Sequence, residues 1–290
     1  MAKTWLITGC SRGLGRGVAE AVLERGDNLV ATARKPEQLA ALVETYGTRC
    51  RAVALDVTDV AAARAGVNAA VEAFGRLDVV VNNAGYGLLG ATEEISDAQM
   101  RAQVETNLFG VFHVTRAALG VFRAQRSGHV IQISSIGGRS GNAGLSIYQA
   151  TKFAVGGFSE ALAKEVAHLG IKVTVVEPGG FRTDWGGSSM VFAESLPEYA
   201  ETVGQLRQQL AAYAPYAPGD PVRGGKVIAE LPDLAEPPLH LVLGNDALSM
   251  VRQVVQAQLA ELDQWEALSR ATDFPDTKPM DPALMRLVTR

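Results

Sequence analysis

Only two cysteines, Cys10 and Cys50, occur in 290 residues. That excludes a disulfide framework and makes a reducing cytoplasm the simpler setting. Neither sign of charge dominates. With 27 basic and 31 acidic residues the net charge is −4, so the basic footprint of a nucleic-acid binder is missing. The longest stretch without a charged residue, Val79 to Thr92, has 14 residues with Asn82 and Asn83 inside it. A bilayer-spanning helix needs about 20 mostly apolar residues, so no membrane association is expected. The opening residues lack a basic n-region and cleavage site, so no secretory signal is expected. The four histidines (His113, His129, His168 and His240) show no ligand spacing, and no metal is expected. Apolar residues at 47% and charged residues at 20% suit an ordinary globular chain rather than a disordered one. No linker, repeat or low-complexity block interrupts residues 1–290, which read as one domain.

What is present is an alternation. Trp5 to Thr8 is a short apolar run stopped by Gly9. Leu14 to Arg25 follows with Leu14, Val18, Ala21 and Val22 at helical spacing and Gly26 as its stop. Strand-like and helix-like segments then succeed each other: Leu29–Ala33, Pro36–Tyr46, Ala52–Leu55, Val60–Phe74, Asp78–Val81, Gln99–Ala124, His129–Ser134, Tyr148–Leu169 and Ile171–Val176. A last strand at Leu239–Leu243 and a helix from about Asp246 to Trp265 precede a tail containing Pro275, Pro279 and Pro282, expected to be extended. Strands such as Val79-Val80-Val81 and Val173-Thr174-Val175-Val176 are β-branched without polar alternation. That pattern predicts a parallel sheet buried on both faces, a doubly wound α/β fold.

The first strand opens into Thr8-Gly9-Cys10-Ser11-Arg12-Gly13-Leu14-Gly15 and then a helix. A glycine turn at a helix N-terminus lets backbone N–H groups approach a pyrophosphate, and the helix dipole favours its charge. The plain alternative is a flexible turn; the strand–turn–helix context favours dinucleotide binding. The second strand ends Ala31-Thr32-Ala33-Arg34-Lys35, without the acid that commonly holds the ribose 2′-OH in an NAD site. Arg34 stands where a 2′-phosphate would sit, and Arg12 can reach the same place; arginine binds phosphate bidentately. NADP(H) is therefore the expected cofactor. The alternative for Arg34 is a solvated turn residue.

Tyr148 and Lys152 are four apart at the start of a helix, so they share a face. A phenol has a reference pKa near about 10 and is a poor base at neutral pH. A neighbouring ammonium is expected to lower it and make the pair a general acid/base on an alcohol or carbonyl oxygen. Ser135 closes the preceding strand, where ligand crevices of open α/β sheets lie. It could anchor the substrate oxygen or be a loop serine bonded to backbone. Ser134 points the other way, as strand neighbours do. Cys10, Asp78 and Asp184 read as structural.

Together these residues resemble the short-chain dehydrogenase/reductase family. The matches are Thr8-Gly9-x-x-x-Gly13-x-Gly15, Asp56-Val57, Asn82-Asn83-Ala84-Gly85, Asn107, Ser135, Tyr148-x-x-x-Lys152 and Pro178-Gly179 over about residues 3–245. The resemblance implies a single-domain Rossmann-type fold with a seven-stranded parallel sheet and hydride transfer to or from nicotinamide. It implies Tyr148 as acid/base, Ser135 as substrate anchor and Lys152 as holder of the nicotinamide ribose that also tunes Tyr148. Asn107 would hold a water of the proton relay, Asp56 and Val57 would meet the adenine, and Asn83, Ala84 and Gly85 would line the cofactor. Pro178, Gly179 and Thr183 would contact its amide or phosphates. Family members commonly assemble as homodimers or homotetramers through the two long helices, whose Leu108, Phe112, Leu119, Phe153, Phe158 and Leu162 exceed one apolar stripe.

Between about residues 180 and 219 the strand–helix rhythm breaks. This segment carries Trp185, Met190, Phe192, Tyr199, Leu206, Leu210, Tyr213 and Tyr216. It reads either as a helical lid on an apolar pocket or as an ordinary amphipathic cover, with Gly186-Gly187-Ser188-Ser189 as a hinge. Tyr86, Leu88, Leu89 and Gly141–Leu145 would form the opposite wall by resemblance. No arginine is obviously placed for a substrate carboxylate; Arg182 could serve but adjoins the cofactor segment. The Pro178-to-Asp184 stretch and the long lid most resemble the 17β-hydroxysteroid and retinol dehydrogenase branch. The expected function is an NADP(H)-dependent carbonyl reductase or alcohol dehydrogenase for a bulky apolar small molecule. The rivals are a 3-oxoacyl-thioester reductase, for which no basic carrier patch is visible, and a non-catalytic NADP(H) sensor, against which the complete Ser–Tyr–Lys set weighs.

Overall fold

A computed structural model describes residues 2–187, 189–274, 276–278, 280–282 and 284–285. Strands β1 (Thr4–Ile7), β2 (Asn28–Ala33) and β3 (Cys50–Ala54) alternate with α1 (Gly13–Glu24) and α2 (Ala40–Tyr46), the latter opened by a 3₁₀ turn from Pro36 to Leu39. Helix α3 (Val60–Phe74) carries the chain back to β4 (Val79–Asn82). Its Asp59 cap accepts from the N–H groups of Ala61 and Ala62, and Gly75 closes it at φ +76°. After β5 (Gly87–Leu89), α4 (Asp97–Val104) and α5 (Gly110–Gln125) come β6 (Gly128–Ile133), α6 (Ser146–Val166), β7 (Ile171–Pro178), β8 (Met190–Phe192), α7 (Gln205–Tyr213), α8 (Pro221–Glu230), β9 (His240–Leu243) and α9 (Asn245–Arg270).

Seven strands form one parallel sheet in the order β3-β2-β1-β4-β6-β7-β9. The chain runs outward from β1 to β3 and then crosses back to β4. The order therefore reverses between β1 and β4, and the carboxyl ends of those strands diverge there into a crevice. Alternate side chains serve opposite faces. Trp5, Ile7, Leu29, Ala31, Val79, Val81 and Ile131 pack with Val18 and Val22 of α1 and Ile228 of α8. Leu6, Val30, Val80, Val130 and Val173 pack with Val67 of α3, Val114 and Phe122 of α5 and Leu162 of α6. Each fully buried aliphatic side chain contributes about 1.5–3 kcal/mol relative to exposure, which explains why the strands read as unbroken apolar runs.

Several local features differ from the sequence expectation. The long helix expected over Gln99–Ala124 is interrupted by a π-helical turn at Glu105–Phe109 that holds Asn107. Such turns carry no apolar periodicity of their own and recur at functional sites. Helix α8 was not expected, because Gly224-Gly225 lowers helix propensity. Those glycines serve packing: a Cβ on Gly225 would lie 2.3 Å from the Gly17 carbonyl carbon of α1. Strands β5 and β8 pair as a second small parallel sheet, too short to leave a period. The last helix continues past Trp265 to Arg270, since Glu266, Ala267 and Leu268 are good helix formers. The expected extended tail is to that extent corrected, and Pro275 and Pro279 lie outside the described residues. No helix among the described residues is long and apolar enough to cross a membrane.

Candidate active site

The glycine turn is shaped by contacts that leave no room for side chains. Gly9 and Gly13 have φ of +73° and +59°, the left-handed region that glycine tolerates. A Cβ on Gly15 would stand 2.3 Å from Asn83 Nδ2 and 2.4 Å from the Gly9 carbonyl oxygen. Asn83 Nδ2 donates to the carbonyls of Thr8 (2.9 Å) and Gly9 (3.1 Å). Thr8 Oγ1 in turn accepts from the N–H groups of Asn83 (2.9 Å) and Ala84 (3.0 Å). The ends of β1 and β4 are thus tied into one rigid lip. Helix α1 starts at Gly13 with no side chain capping it and no acid in its first turn. Its leading N–H groups and dipole face the crevice for an anion. Thr183 lies over this opening, its Cβ 3.5 Å from the place a Gly13 Cβ would take. Ser11, Arg12 and Leu14 complete the turn, with Arg12 exposed and Leu14 half-buried against the core.

Beside this lip, Ala33 ends β2 in buried surroundings and Arg34 emerges exposed. Asp56 is exposed and accepts from the Thr58 N–H (3.0 Å) and hydroxyl (2.8 Å) through one oxygen. Buried Val57 packs on α5, where a Cβ on Gly110 would fall 2.5 Å from its Cγ2. The turn, the bare helix start, the exposed guanidinium groups of Arg12 and Arg34 and a strand end without acid fit the phosphates and 2′-phosphorylated ribose of NADP(H).

Ser135 caps the turn after β6, its Oγ accepting from the Gly137 N–H at 3.0 Å. Ser134 faces away and donates to the Lys152 carbonyl at 3.2 Å. Tyr148 and Lys152 project from the first two turns of α6 and are both buried. The Lys152 ammonium lies 5.8 Å from the Tyr148 ring centroid and donates to the Ile133 carbonyl at 2.8 Å. The expectation that the ammonium lowers the phenol pKa is corrected. Burial pushes Tyr148 up to about 12, with the Ser135 hydrogen bond pulling more weakly the other way. Burial also brings Lys152 down to about 8. Both shifts express the same cost of placing charge away from water.

Asn107 is almost wholly buried. Its Nδ2 donates to the Tyr86 carbonyl (2.9 Å), and its Oδ1 accepts from the Tyr86 N–H (3.1 Å). The Asn107 side chain thus ties the π-turn to the loop after β4. Gly85 fits beneath it, since a Cβ there would come 3.1 Å from Oδ1. At the end of β7 the Gly179 N–H donates to the Leu243 carbonyl at 2.9 Å. The Gly180 N–H donates to Asp246 Oδ2 at 2.8 Å, which also accepts from the Tyr213 hydroxyl at 3.1 Å. Asp246, in the first turn of α9, therefore ties the Pro178-Gly179 segment to the lid. Sequence reasoning missed it, although an acid at a helix start was a signal. It also missed Arg139, whose Nε donates to buried Glu177 at 2.8 Å. That bond fastens the loop between Ser135 and Tyr148 to β7.

The lid lies down on Tyr148. Trp185, Met190, Tyr199, Leu206 and Leu210 cluster with Leu89, Ala91, Leu145, Tyr148 and Val203. Three expected lid aromatics lie elsewhere. Phe192 carries Arg207 on its face at 4.2 Å, Tyr213 binds Asp246, and Tyr216 is 79% exposed. Leu88 packs in a separate cluster with Ile95 and Ala193. A cavity of about 250 Å³ opens among lid residues between Leu89, Leu196, Val203 and Arg207, and neither Ser135 nor Tyr148 lines it. Arg182 donates to the Ala217 carbonyl at 2.8 Å and borders the Gly13–Thr183 cleft. Of the expected hinge, Ser188 lies outside the described residues. Cys10 is buried and Asp78 is paired with Arg76 and the Thr4 N–H.

The short chain dehydrogenase family profile matches residues 3–190. The chain belongs to the short-chain dehydrogenase family. An oxidoreductase of Botryotinia fuckeliana, BOA17, is 47% identical over 273 residues, covering 94% of this chain and all of the relative. A short-chain dehydrogenase structure from Streptomyces avermitilis is 44% identical, with a TM-score of 0.88 over 94% of this chain and 98% of that one. The structure of ElxO with NADP bound is 29% identical, with a TM-score of 0.72 over 86% of this chain and all of that one. This short-chain dehydrogenase is thus an oxidoreductase with a doubly wound fold and a seven-stranded parallel sheet. Its full-length similarity to BOA17 and the Streptomyces structure takes in the lid and much of α9.

Proposed function

We propose that the chain is an NADP(H)-dependent carbonyl reductase or alcohol dehydrogenase acting on a fairly bulky, apolar small molecule. The observation that carries this reading is the Tyr148 phenol, buried beside Lys152 and covered by an apolar lid. When bound, the nicotinamide supplies or takes the hydride. Ser135 and Tyr148 would hold the substrate oxygen by two hydrogen bonds. In the reducing direction the phenol, kept protonated by burial, donates its proton as alkoxide charge develops. Lys152, fixed by its bond to the Ile133 carbonyl, would hold the nicotinamide ribose beside the phenol. Asn107 acts by holding the Tyr86 loop, and Asn83 by holding the glycine turn. Gly9, Gly13, Gly15 and the start of α1 take the pyrophosphate; Arg12 and Arg34 take the 2′-phosphate; Asp56 and Val57 border the adenine; Ala84, Gly85, Pro178, Gly179 and Thr183 border the nicotinamide half. The lid cluster of Trp185, Met190, Leu206 and Leu145 supplies an apolar wall, which favours a substrate with a bulky apolar part.

The same reading places the enzyme in a reducing cytoplasm, where two free buried cysteines persist. It also gives a homo-oligomer through α5 and α6, with Phe109 just before α5 and Phe153 on α6 exposed by 42% and 46% and Phe112 packed on Phe158 with ring centroids 4.6 Å apart. The test is a steady-state screen of aryl, cyclic and long-chain ketones with NADPH, run beside Tyr148→Phe. That variant keeps the ring and loses the proton. It should lower kcat by at least about 10²-fold while NADPH still binds. Turnover close to wild type in the variant, or no ketone reduced by the wild type, would remove this reading.

A further inference from the structure

The lid is a loop with a pinched neck. Phe181 bridges to Gly219, the Gly219 N–H donates to the Gly180 carbonyl at 2.8 Å, and the Arg182 N–H donates back to the Gly219 carbonyl at 2.9 Å. The chain that leaves the end of β7 thus returns to it at residue 219. One carboxylate stands at this neck. Asp246 Oδ2 accepts from both the Gly180 N–H and the Tyr213 hydroxyl. Its other oxygen, Oδ1, is buried without a hydrogen-bond partner among the described residues. The carboxylate sits in the first turn of α9, where the helix dipole favours negative charge. Three glycines make room for it. A Cβ on Gly179 or Gly244 would fall 2.6 Å from Oδ1, and one on Gly180 would fall 2.5 Å from the Tyr213 hydroxyl oxygen.

The helix that carries Tyr213 gives this contact a consequence. Leu206, Leu210 and Tyr213 are spaced four and three apart on α7, so they share one face. Leu206 and Leu210 pack into the cluster around Tyr148. The hydroxyl at the end of that face therefore fixes how α7 lies over the apolar wall. On the other side of Asp246, Gly180 continues the segment from Pro178 and Gly179, and Thr183 just beyond it lies over the Gly13 turn. One carboxylate thus joins the wall that faces substrate to the segment that faces the cofactor. The first arm of the lid is held differently. There β8 pairs with β5 through the backbone, and Glu94 accepts from the N–H groups of Ala91 and Leu196, each at 2.7 Å. The α7 arm hangs on a side-chain bond that water can reach, since Tyr213 is 40% exposed. Such a bond releases more readily than a strand ladder.

We propose that Asp246 is a positioning residue that couples the lid to the cofactor segment: with residues 178–180 in place, Tyr213 is held and α7 closes over a bulky substrate. The coupling rests on the NADP(H)-dependent reading above. The test is hydrogen exchange by mass spectrometry on the full-length protein, with and without NADPH, beside steady-state kinetics. In the wild type NADPH should slow exchange over residues 205–213 as well as 179–182. Tyr213→Phe keeps the ring and removes the hydroxyl. It should exchange about two- to tenfold faster over 205–213, the range for one net hydrogen bond. It should also lose the NADPH-linked protection there and keep it over 179–182. KM for a bulky ketone should rise by a similar factor, with kcat altered less. Asp246→Ala should loosen both segments, and Asp246→Asn, which keeps one acceptor oxygen, should retain most of the protection. A bond that serves only the fold would lower Tm without moving KM or the NADPH-linked protection, and that result overturns the proposal. So does a Tyr213→Phe lid that exchanges like the wild type, or an Asp246→Asn protein as loosened as Asp246→Ala. A wild type that binds no NADPH refutes the cofactor reading; wild type against Tyr213→Phe without cofactor then still decides whether Asp246 holds the lid.

Discussion

The indole of Trp185 rests against the phenol of Tyr148, ring centroids 5.3 Å apart and planes at 55°. The contact leaves Tyr148 5% exposed. A lid side chain thus packs on the ring whose hydroxyl is the proposed proton donor and helps to shield it from water. Trp185→Ala should hydrate the phenol and bring its pKa down from about 12 toward the ordinary 10. Reduction needs the protonated phenol, so activity is lost as pH rises through that pKa. The alkaline limb of kcat/KM for reduction should move to lower pH in the variant, and small ketones should gain relative to bulky ones. A pH profile that superimposes on the wild type would place the desolvation elsewhere.

His129 should set an acid limit to stability. It is 3% exposed, its Nε2 lies 2.9 Å from Thr174 Oγ1, and Nδ1 has no partner. Burial, aided by the Lys172 charge, lowers its pKa from 6.5 to about 4. The unfolded chain therefore binds the proton first as pH falls, and stability decreases from about pH 6.5 down to about pH 4. The shift corresponds to an upper bound of about 3 kcal/mol at 1.36 kcal/mol per unit. Urea unfolding of wild type and His129→Gln between those pH values checks it. The variant should lose most of the slope; an equal slope in both would assign the acid lability to other groups.

Arg139 and Glu177 give a third test. Glu177 is 2% exposed. Burial alone would raise its pKa, but hydrogen bonds from His240 and Arg139 outweigh that and hold the carboxyl below its ordinary value. Its stabilising contribution is thus complete above the unfolded carboxylate pKa and is lost as pH falls through the folded one. Arg139→Ala strands a buried charge, a change that costs about 3–5 kcal/mol for fully buried pairs. The Arg139 side chain is 32% exposed, so solvent screening should keep the loss near or below the lower end. Because Arg139 lies between Ser135 and Tyr148, kcat should fall as well. Thermal denaturation and turnover together check this, and Arg139→Lys should recover part of both. A variant as stable and active as wild type would show that the bond does not fix the loop.

What the sequence disclosed follows from how far each signal travels along the chain. The strands were legible because burial on both faces demands continuous runs such as Val79–Val81. The glycine turn was legible because Gly9, Gly13 and Gly15 meet their constraints within one turn. Tyr148, Lys152 and Ser135 were legible by spacing, but their electrostatics were not. Tyr148 is buried partly by Trp185, 37 residues away in the chain, and no local pattern announces that contact. The π-turn around Asn107 was hidden because its residues continue a helical composition. Tyr213 and Phe192 looked like pocket aromatics because composition carries no direction; only the fold turns one to Asp246 and the other to Arg207.

Cofactor choice rests on the end of β2, and it is open to a direct measurement. Ala33 is 5% exposed at the last strand position, and Arg34 stands beyond it without an ion-pair partner among the described residues. A 2′-phosphate brings close to two negative charges, for which Arg34 and Arg12 are the nearest candidates in sequence and fold. A hydrogen bond to a charged group contributes roughly 1.5–3 kcal/mol, about one to two decades of affinity. Arg34→Ala should therefore weaken NADPH binding by that factor and leave NADH binding almost unchanged. Ala33→Asp should go further, repelling the phosphate while offering the NADH ribose an acceptor. The readout is kcat/KM for both cofactors in wild type and both variants. If the wild type prefers NADH, or Arg34→Ala keeps the NADPH preference, the charge at this strand end does not choose the cofactor.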